Sequence, residues 1–141
     1  MVDGESVVKV AVICFCWWCA VVDHRLEVVK VESLVSAREL LLGLGCDPRG
    51  VEIMVPKAVL VMVRCREVVL QDAVMVKQDM LSVGGEVAIP RYTYDRMMDT
   101  ADILVFGTVA QLEELVEKLR RHYPRIRGLA EELSAVVAGF R

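Results

Sequence analysis

Residues 70–91, LQDAVMVKQDMLSVGGEVAIPR, decide the fold because they join a helix to a strand through a double glycine. The apolar residues of the first part recur at helical spacing and predict an amphipathic helix that ends near Val83. The two glycines that follow can adopt the positive φ angles that often end a helix. Residues 86–89 then predict a short strand, which Pro90 ends.

Lys77 is the anomaly of this helix. It falls on the apolar face, whereas Asp72 and Asp79 fall on the opposite, polar face. An isolated buried charge is costly or loses its proton, so Lys77 must reach solvent, pair with an acid or meet a ligand. The acidic partners that we expect are Glu86 or Asp102.

The rest of the chain predicts helices alternating with buried strands. The predicted strands cover residues 26–31, 51–55, 58–64, 86–89 and 101–106. Residues 46–50 predict a turn, and further helices begin after Ser33 and Thr108. A linker between Pro124 and Gly128 precedes a last helix over residues 129–137. This order predicts an α/β fold, with α+β as an alternative. We expect a single compact domain whose mixed sheet of about five strands is packed by three to four helices.

Residues 1–25 are predicted to be an apolar N-terminal extension of a domain that covers residues 26–141. The apolar run from Val10 to Val22 is shorter than the roughly 20 residues of a spanning helix. Acidic residues precede this run, unlike the start of a secretory signal. The extension is therefore either an extra buried strand or a wrongly assigned start, and we do not expect it to associate with a membrane.

The cysteines indicate a reducing compartment. Three of the five cysteines crowd into residues 14–19, and an odd number does not suit a secreted disulfide framework. We therefore expect a cytoplasmic protein. The crowded cysteines offer three metal ligands, and a fourth would have to come from His24, Cys46 or Cys65. Because cysteines inside an apolar run are usually small buried hydrophobic residues, we predict no metal and no cofactor. The formal charge of −3 and the lack of a basic run argue against a nucleic-acid partner.

A small anion site is the best chemical candidate in the sequence. Gly107 and Thr108 lie where a strand gives way to a helix, so free N–H groups and the positive helix end would lie beyond the strand. If Lys77 and Arg91 converge there, they could hold a phosphate, a carboxylate or an acidic group of a partner. The structural alternative is a tight turn at Gly107, an N-cap at Thr108 and a Lys77 side chain paired with an acid.

Four segments carry a resemblance to a known family. They are VEIMVPK at residues 51–57, VKQDMLSVGGEVAIPR at residues 76–91, TADILVFGTVAQ at residues 100–111 and GLAEEL at residues 128–133. From about Val31 onward, the sequence resembles the extra N-terminal domain that precedes the barrel in many dihydropteroate synthases. Residues 1–25 have no counterpart in that domain, and residues 123–127 differ from its usual linker.

The resemblance implies a stand-alone accessory or ligand-binding domain in folate or pterin metabolism. The ligand-binding residues that it and the glycine turns suggest are Lys57, Lys77, Gln78, Gly84, Gly85, Arg91, Gly107 and Thr108. The pterin site of that family belongs to a barrel of about 250 residues, so we do not expect synthase activity from this chain alone. The expected partners are a separately encoded pterin-binding barrel or further copies of the chain, and a small anionic ligand. Two alternatives are a small enzyme that uses Lys77 as a base or Schiff-base nucleophile, and a structural dimerisation domain.

Overall fold

The computed structural model describes residues 8–9, 24–93, 95 and 98–141. The chain divides into two compact units, Met1–Val31 and Glu32–Arg141. In the first unit, strand β1 (Val8–Lys9) pairs antiparallel with strand β2 (Glu27–Val28). The strand predicted over residues 26–31 is thus present over two residues. The apolar run of residues 10–22 lies outside the described residues.

A three-stranded antiparallel sheet forms the centre of the second unit, in the order β3–β5–β4. Strands β3 (Leu60–Val69) and β4 (Glu86–Ala88) both run antiparallel to the central strand β5 (Thr100–Thr108). Helix α3 (Leu70–Ser82) joins β3 to β4, which makes a split β–α–β unit with β5 between its strands. The mixture of helices and strands is confirmed. The prediction of a mixed sheet with about five strands is wrong.

The described residues contain five α-helices rather than three to four. Besides α3 they are α1 (Leu34–Gly43), α2 (Pro48–Met54), α4 (Val109–Leu119) and α5 (Pro124–Ala138). Short 3-10 helices cover Val55–Lys57 and Arg91–Thr93. The strands predicted over residues 58–64, 86–89 and 101–106 are confirmed as the cores of β3, β4 and β5, with shifted ends.

Side-chain caps begin α1 and α4, as the sequence predicts. The Ser33 hydroxyl accepts the N–H of Ser36 at 3.1 Å. The Thr108 hydroxyl accepts the N–H of Gln111 at 3.2 Å, and the Gln111 side chain accepts the N–H of Thr108 at 2.9 Å. Each cap satisfies N–H groups that the first helical turn leaves without a partner.

The turn and strand predicted over residues 46–55 are wrong, because helix α2 occupies this segment. The Asp47 carboxylate accepts N–H groups of the first turn, and Pro48 takes the first helical position, where its missing N–H costs nothing. Val51 and Val55 lie four residues apart and are buried, while residues 52–54 between them are exposed. This period of four is helical.

The start of α5 is a second correction. Pro124 does not open a linker but occupies the first turn of α5, which continues through Gly128 to Ala138. Proline suits this position because its φ angle is already helical.

The helices of the second unit cover one face of the sheet. Residues of that face are buried: Val61 and Cys65 of β3, Val87 of β4, and Ala101, Ile103 and Val105 of β5. They pack against buried residues of α3 and α4, among them Val76, Met80, Leu112 and Leu115. Successive strand residues point to opposite faces, so the alternate residues lie on the other face, which we call the open face. Leu60 and Met62 of the open face are 65% and 56% exposed.

Candidate functional site

Lys77 of α3 is held at the start of β4. Its Nζ lies 3.2 Å from Oε1 of Glu86 and donates a hydrogen bond of 2.9 Å to the carbonyl of Val87. The Lys77 side chain is 29% exposed, so it leaves the apolar face of α3 and reaches a polar partner at the surface. Pairing with Glu86, one of the two acids expected from the sequence, is therefore observed.

These contacts close one edge of the sheet. Strand β4 is an edge strand, and Val87 directs its N–H and C=O away from β5. Its N–H donates to Oε1 of Glu86 at 2.9 Å, and its C=O accepts from Lys77. The Val87 N–H and the Lys77 ammonium both lower the pKa of Glu86. Both backbone groups that another strand would need at Val87 are thus already bonded.

The predicted glycine turns come together, but protein side chains fill the space beside them. A Cβ at Gly107 would lie 2.6 Å from Cε of Met80 and 2.8 Å from Oε1 of Gln111, and a Cβ at Gly85 would also collide with Met80. Gly84 has a φ of +88°, which is the left-handed conformation that ends α3. The lack of side chains at these glycines therefore lets Met80 and Gln111 pack closely.

The remaining predicted ligand residues are exposed. Lys57 ends a 3-10 helix, Gln78 lies on the outer surface of α3, and Arg91 follows β4. Among the described residues, their side chains make no hydrogen bond or ion pair with Lys77 or with one another. The structure thus joins Lys77 to Glu86 and groups the glycines, and it brings no cation to Gly107 and Thr108.

A charged cluster that the sequence did not reveal lies on the opposite side of α3. Asp72, assigned to the polar face, is only 3% exposed. Nη2 of Arg125 donates to its carboxylate at 2.8 Å, Nε of Arg125 donates to the second oxygen, and the Tyr123 hydroxyl donates as well. Arg125 lowers the pKa of Asp72, and Asp72 in turn raises the pKa of Tyr123. The cluster holds the start of α5 against the first turn of α3.

His122 makes a second contact between the same two segments. Its Nε2 lies 2.8 Å from Oδ2 of Asp79, seven residues after Asp72 on α3. Arg120, two residues before His122, also binds acids, since it donates to Glu117 and to Glu131. These acids and bases fasten α3, α4 and α5 together.

A shallow groove lies on the open face of the sheet. It has a volume of about 420 Å³ and is lined by Arg64, Ala88, Ile89, Pro90, Asp102, Ile103 and Leu104. Most of this lining is apolar, and it contains one cation and one anion. Asp102 is engaged, since its Oδ1 accepts the N–H of Glu67 at 3.0 Å and its Oδ2 lies 3.9 Å from Arg66. Arg64 has no hydrogen bond or ion pair within the described part of the chain.

Arg64 was not among the residues singled out from the sequence. The signal was present, because residues 58–64 were predicted to be a strand, and alternate residues of a strand share a face. Leu60, Met62 and Arg64 therefore had to lie together, but the sequence does not say which face the helices cover.

Comparison of the chain with protein-family models, curated proteins and solved structures returns no match.

No helix within the described residues is long and apolar enough to cross a membrane. The described residues also hold no group of three or more His, Cys, Asp or Glu side chains placed to bind a metal ion. The crowded cysteines at positions 14, 16 and 19 lie outside this part of the chain.

Proposed function

We propose that this chain is a binding module without catalytic activity of its own, and that it binds its ligand in the groove of the open face. The observation that carries the proposal is the Arg64 guanidinium, which lies at the side of an apolar groove and has no partner among the described residues. An arginine is most effective when it meets a carboxylate or phosphate in a fork of two hydrogen bonds. An apolar groove with few polar groups is the usual form of a small-molecule site.

The chemistry of the groove suggests the class of ligand. Ala88, Ile89, Pro90 and Leu104 offer apolar surface to a flat or hydrophobic body. Arg64 offers its charge to an acidic group at the edge of that body, and the negative charge of Asp102 is already matched by its own contacts. The proposed ligand is therefore an apolar or aromatic molecule that carries a carboxylate or phosphate. Arg91 follows Pro90 in the chain but is not among the residues that line the groove.

The sequence resemblance supports a place for this ligand in folate or pterin metabolism. The motif at residues 76–91, which resembles the N-terminal domain of dihydropteroate synthases, includes three lining residues: Ala88, Ile89 and Pro90. The chain is then a stand-alone accessory domain that binds a carboxylated pterin or a related compound. It acts beside a separately encoded pterin-binding barrel.

Isothermal titration calorimetry with pterin-6-carboxylate, 4-aminobenzoate and inorganic phosphate tests this proposal. Arg64→Gln should weaken binding at least about tenfold, because a hydrogen-bonded charge contributes about 1.5–3 kcal/mol. Arg127→Gln is the matched control, since Arg127 is an exposed arginine of α5 away from the groove. No binding of any of the three compounds, or equal binding by Arg64→Gln and wild type, would contradict the proposal.

A further inference from the structure

The two edges of the sheet differ in a way that bears on assembly. At the β4 edge, Lys77 and Glu86 bond both backbone groups of Val87. At the β3 edge, no strand pairs with β3 among the described residues. Unpaired edges are templates for the addition of another strand, so only the β3 edge can accept one.

The hydrogen-bond pattern identifies which residues of β3 face the free edge. Val109 donates its N–H to the carbonyl of Val59 at 3.0 Å, so the odd-numbered residues of this segment bond to the central strand. Val63 therefore bonds to Val105, its partner in register. The even-numbered residues of the same segment direct their N–H and C=O outward; they are Leu60, Met62 and Arg64. The same three residues are exposed on the open face.

We propose that two copies of this chain pair through β3, antiparallel, with Met62 on the two-fold axis. In this register Met62 pairs with Met62 of the second copy, and Leu60 pairs with Arg64 of the second copy. Each pair exchanges two backbone hydrogen bonds, so all the outward N–H and C=O groups of the three residues are used. The result is one six-stranded sheet in the order β4–β5–β3–β3–β5–β4.

The charges of β3 select this register. Like charges directly opposite each other destabilise a strand pair. A register centred on Arg64 would set two guanidinium groups opposite each other, and one centred on Cys65 would set Arg64 opposite Arg66. In a register centred on Val61 or Val63, only two of the three outward-facing residues of β3 would find a partner in the second copy. The reason is that β3 begins at residue 60 and is irregular after residue 65.

Side chains of the open face support the same arrangement. Met62 lies beside Phe106 of β5 in register, so the pair across the axis makes a continuous row of Phe106 and Met62 from both copies. Methionine sulfur contacts aromatic rings favourably. The row covers Met62, which is 56% exposed in the single chain.

The closed β4 edge limits the assembly to two chains. After the β3 edges have paired, the outer edges of the six-stranded sheet are both β4. Lys77 and Glu86 block each of them, so no third chain can add. The dimer shares one residue with the ligand groove, because Arg64 lines the groove and also pairs with Leu60 of the second copy, whereas Met62 on the axis does not line it.

Sedimentation equilibrium of the full chain from micromolar to millimolar concentration tests the proposal. The wild type should dimerise without forming larger species. Met62→Lys and Met62→Glu should each raise the dissociation constant at least about tenfold, because like charges then meet on the axis. An equimolar mixture of the two variants should dimerise again. Val35→Lys, at a site 60% exposed on α1, is the control and should dimerise as the wild type does.

Variants at Leu60 test the register separately. Leu60 faces Arg64 of the second copy, so Leu60→Glu should tighten the dimer and Leu60→Lys should weaken it. A wild type that stays monomeric up to millimolar concentration would overturn the proposal. So would a dimer that neither Met62→Lys nor Leu60→Lys weakens, or a mixture of the two Met62 variants that stays monomeric. Far-UV circular dichroism of each variant shows that the fold is kept.

Discussion

The buried carboxylate of Asp72 offers the sharpest test of how the second unit is held together. Asp72→Asn keeps the size of the side chain but removes the charge that two donors of Arg125 and the Tyr123 hydroxyl share. Hydrogen bonds to a charged group contribute about 1.5–3 kcal/mol. Because Arg125 is 54% exposed and solvent screens it, we take the lower part of that range. The free energy of unfolding should fall by about 2 kcal/mol.

The loss of stability caused by Asp72→Asn should depend on pH. Arg125 holds the pKa of Asp72 below its ordinary value of about 3.9. A carboxyl whose pKa is lower in the folded than in the unfolded protein stabilises the fold above the unfolded value. This stabilisation is lost as the pH falls through the folded value. The difference between wild type and Asp72→Asn should therefore be full near neutral pH and shrink below about pH 4.

Urea unfolding followed by circular dichroism, at one protein concentration, measures both effects. Glu52→Gln is the matched control, because Arg38 and Glu52 form a similar fork, with bonds of 2.8 and 3.1 Å, but both are well exposed. The loss should be clearly smaller for this exposed pair. Equal losses for the two variants would refute the reasoning, and so would a loss for Asp72→Asn that persists unchanged at low pH.

Three further predictions concern Lys77 and the glycines. Lys77→Met should free the carbonyl of Val87, so light scattering should detect species larger than a dimer. The control Lys118→Met, on α4, should not form such species, and equal scattering by the two variants would contradict the view that Lys77 blocks the β4 edge. Reduction by borohydride with glyoxylate should label Lys77 no faster than the exposed Lys57, since the Lys77 amine is bonded to Glu86 and Val87; faster labelling of Lys77 would favour a Schiff-base enzyme. Gly107→Ala should destabilise the fold by about 2 kcal/mol, because its Cβ would collide with Met80 and Gln111. A Cβ at Gly128, in α5, would meet open space, so Gly128→Ala should raise the free energy of unfolding in urea by about 1 kcal/mol. Lower stability of Gly128→Ala, or unchanged stability of Gly107→Ala, would contradict these expectations.

The sequence predicted best where local signals agreed. The helix of residues 70–82 has clear periodicity and a glycine of positive φ after it, and Thr108 has the side chain that caps α4. The pairing of Lys77 with Glu86 followed from the cost of burying a charge. Each of these features depends on residues close together in the sequence.

Other features depend on contacts between distant segments. The three β-branched residues Val51, Ile53 and Val55 suggested a strand, although Asp47 and Pro48 form a helix start that outweighs this propensity. Asp72 falls on the polar face of its helix, and it is buried because the start of α5, some 50 residues later in the sequence, packs against it. The sheet contains three strands rather than five because one segment assigned to a strand folds as α2 and another forms β2 in the first unit.

The groove on the open face is the proposed binding site for an apolar or aromatic molecule that carries an acidic group. A nuclear magnetic resonance titration of ¹⁵N-labelled protein with pterin-6-carboxylate tests it most directly. We expect the largest amide shifts at Arg64, Ala88, Ile89 and Leu104, and we expect Arg64→Gln to need at least about tenfold more ligand to reach the same shifts. Shifts centred on Gly84, Gly107 and Thr108 would instead favour the glycine turns as the site, and no shift at any residue would contradict the proposed ligand class.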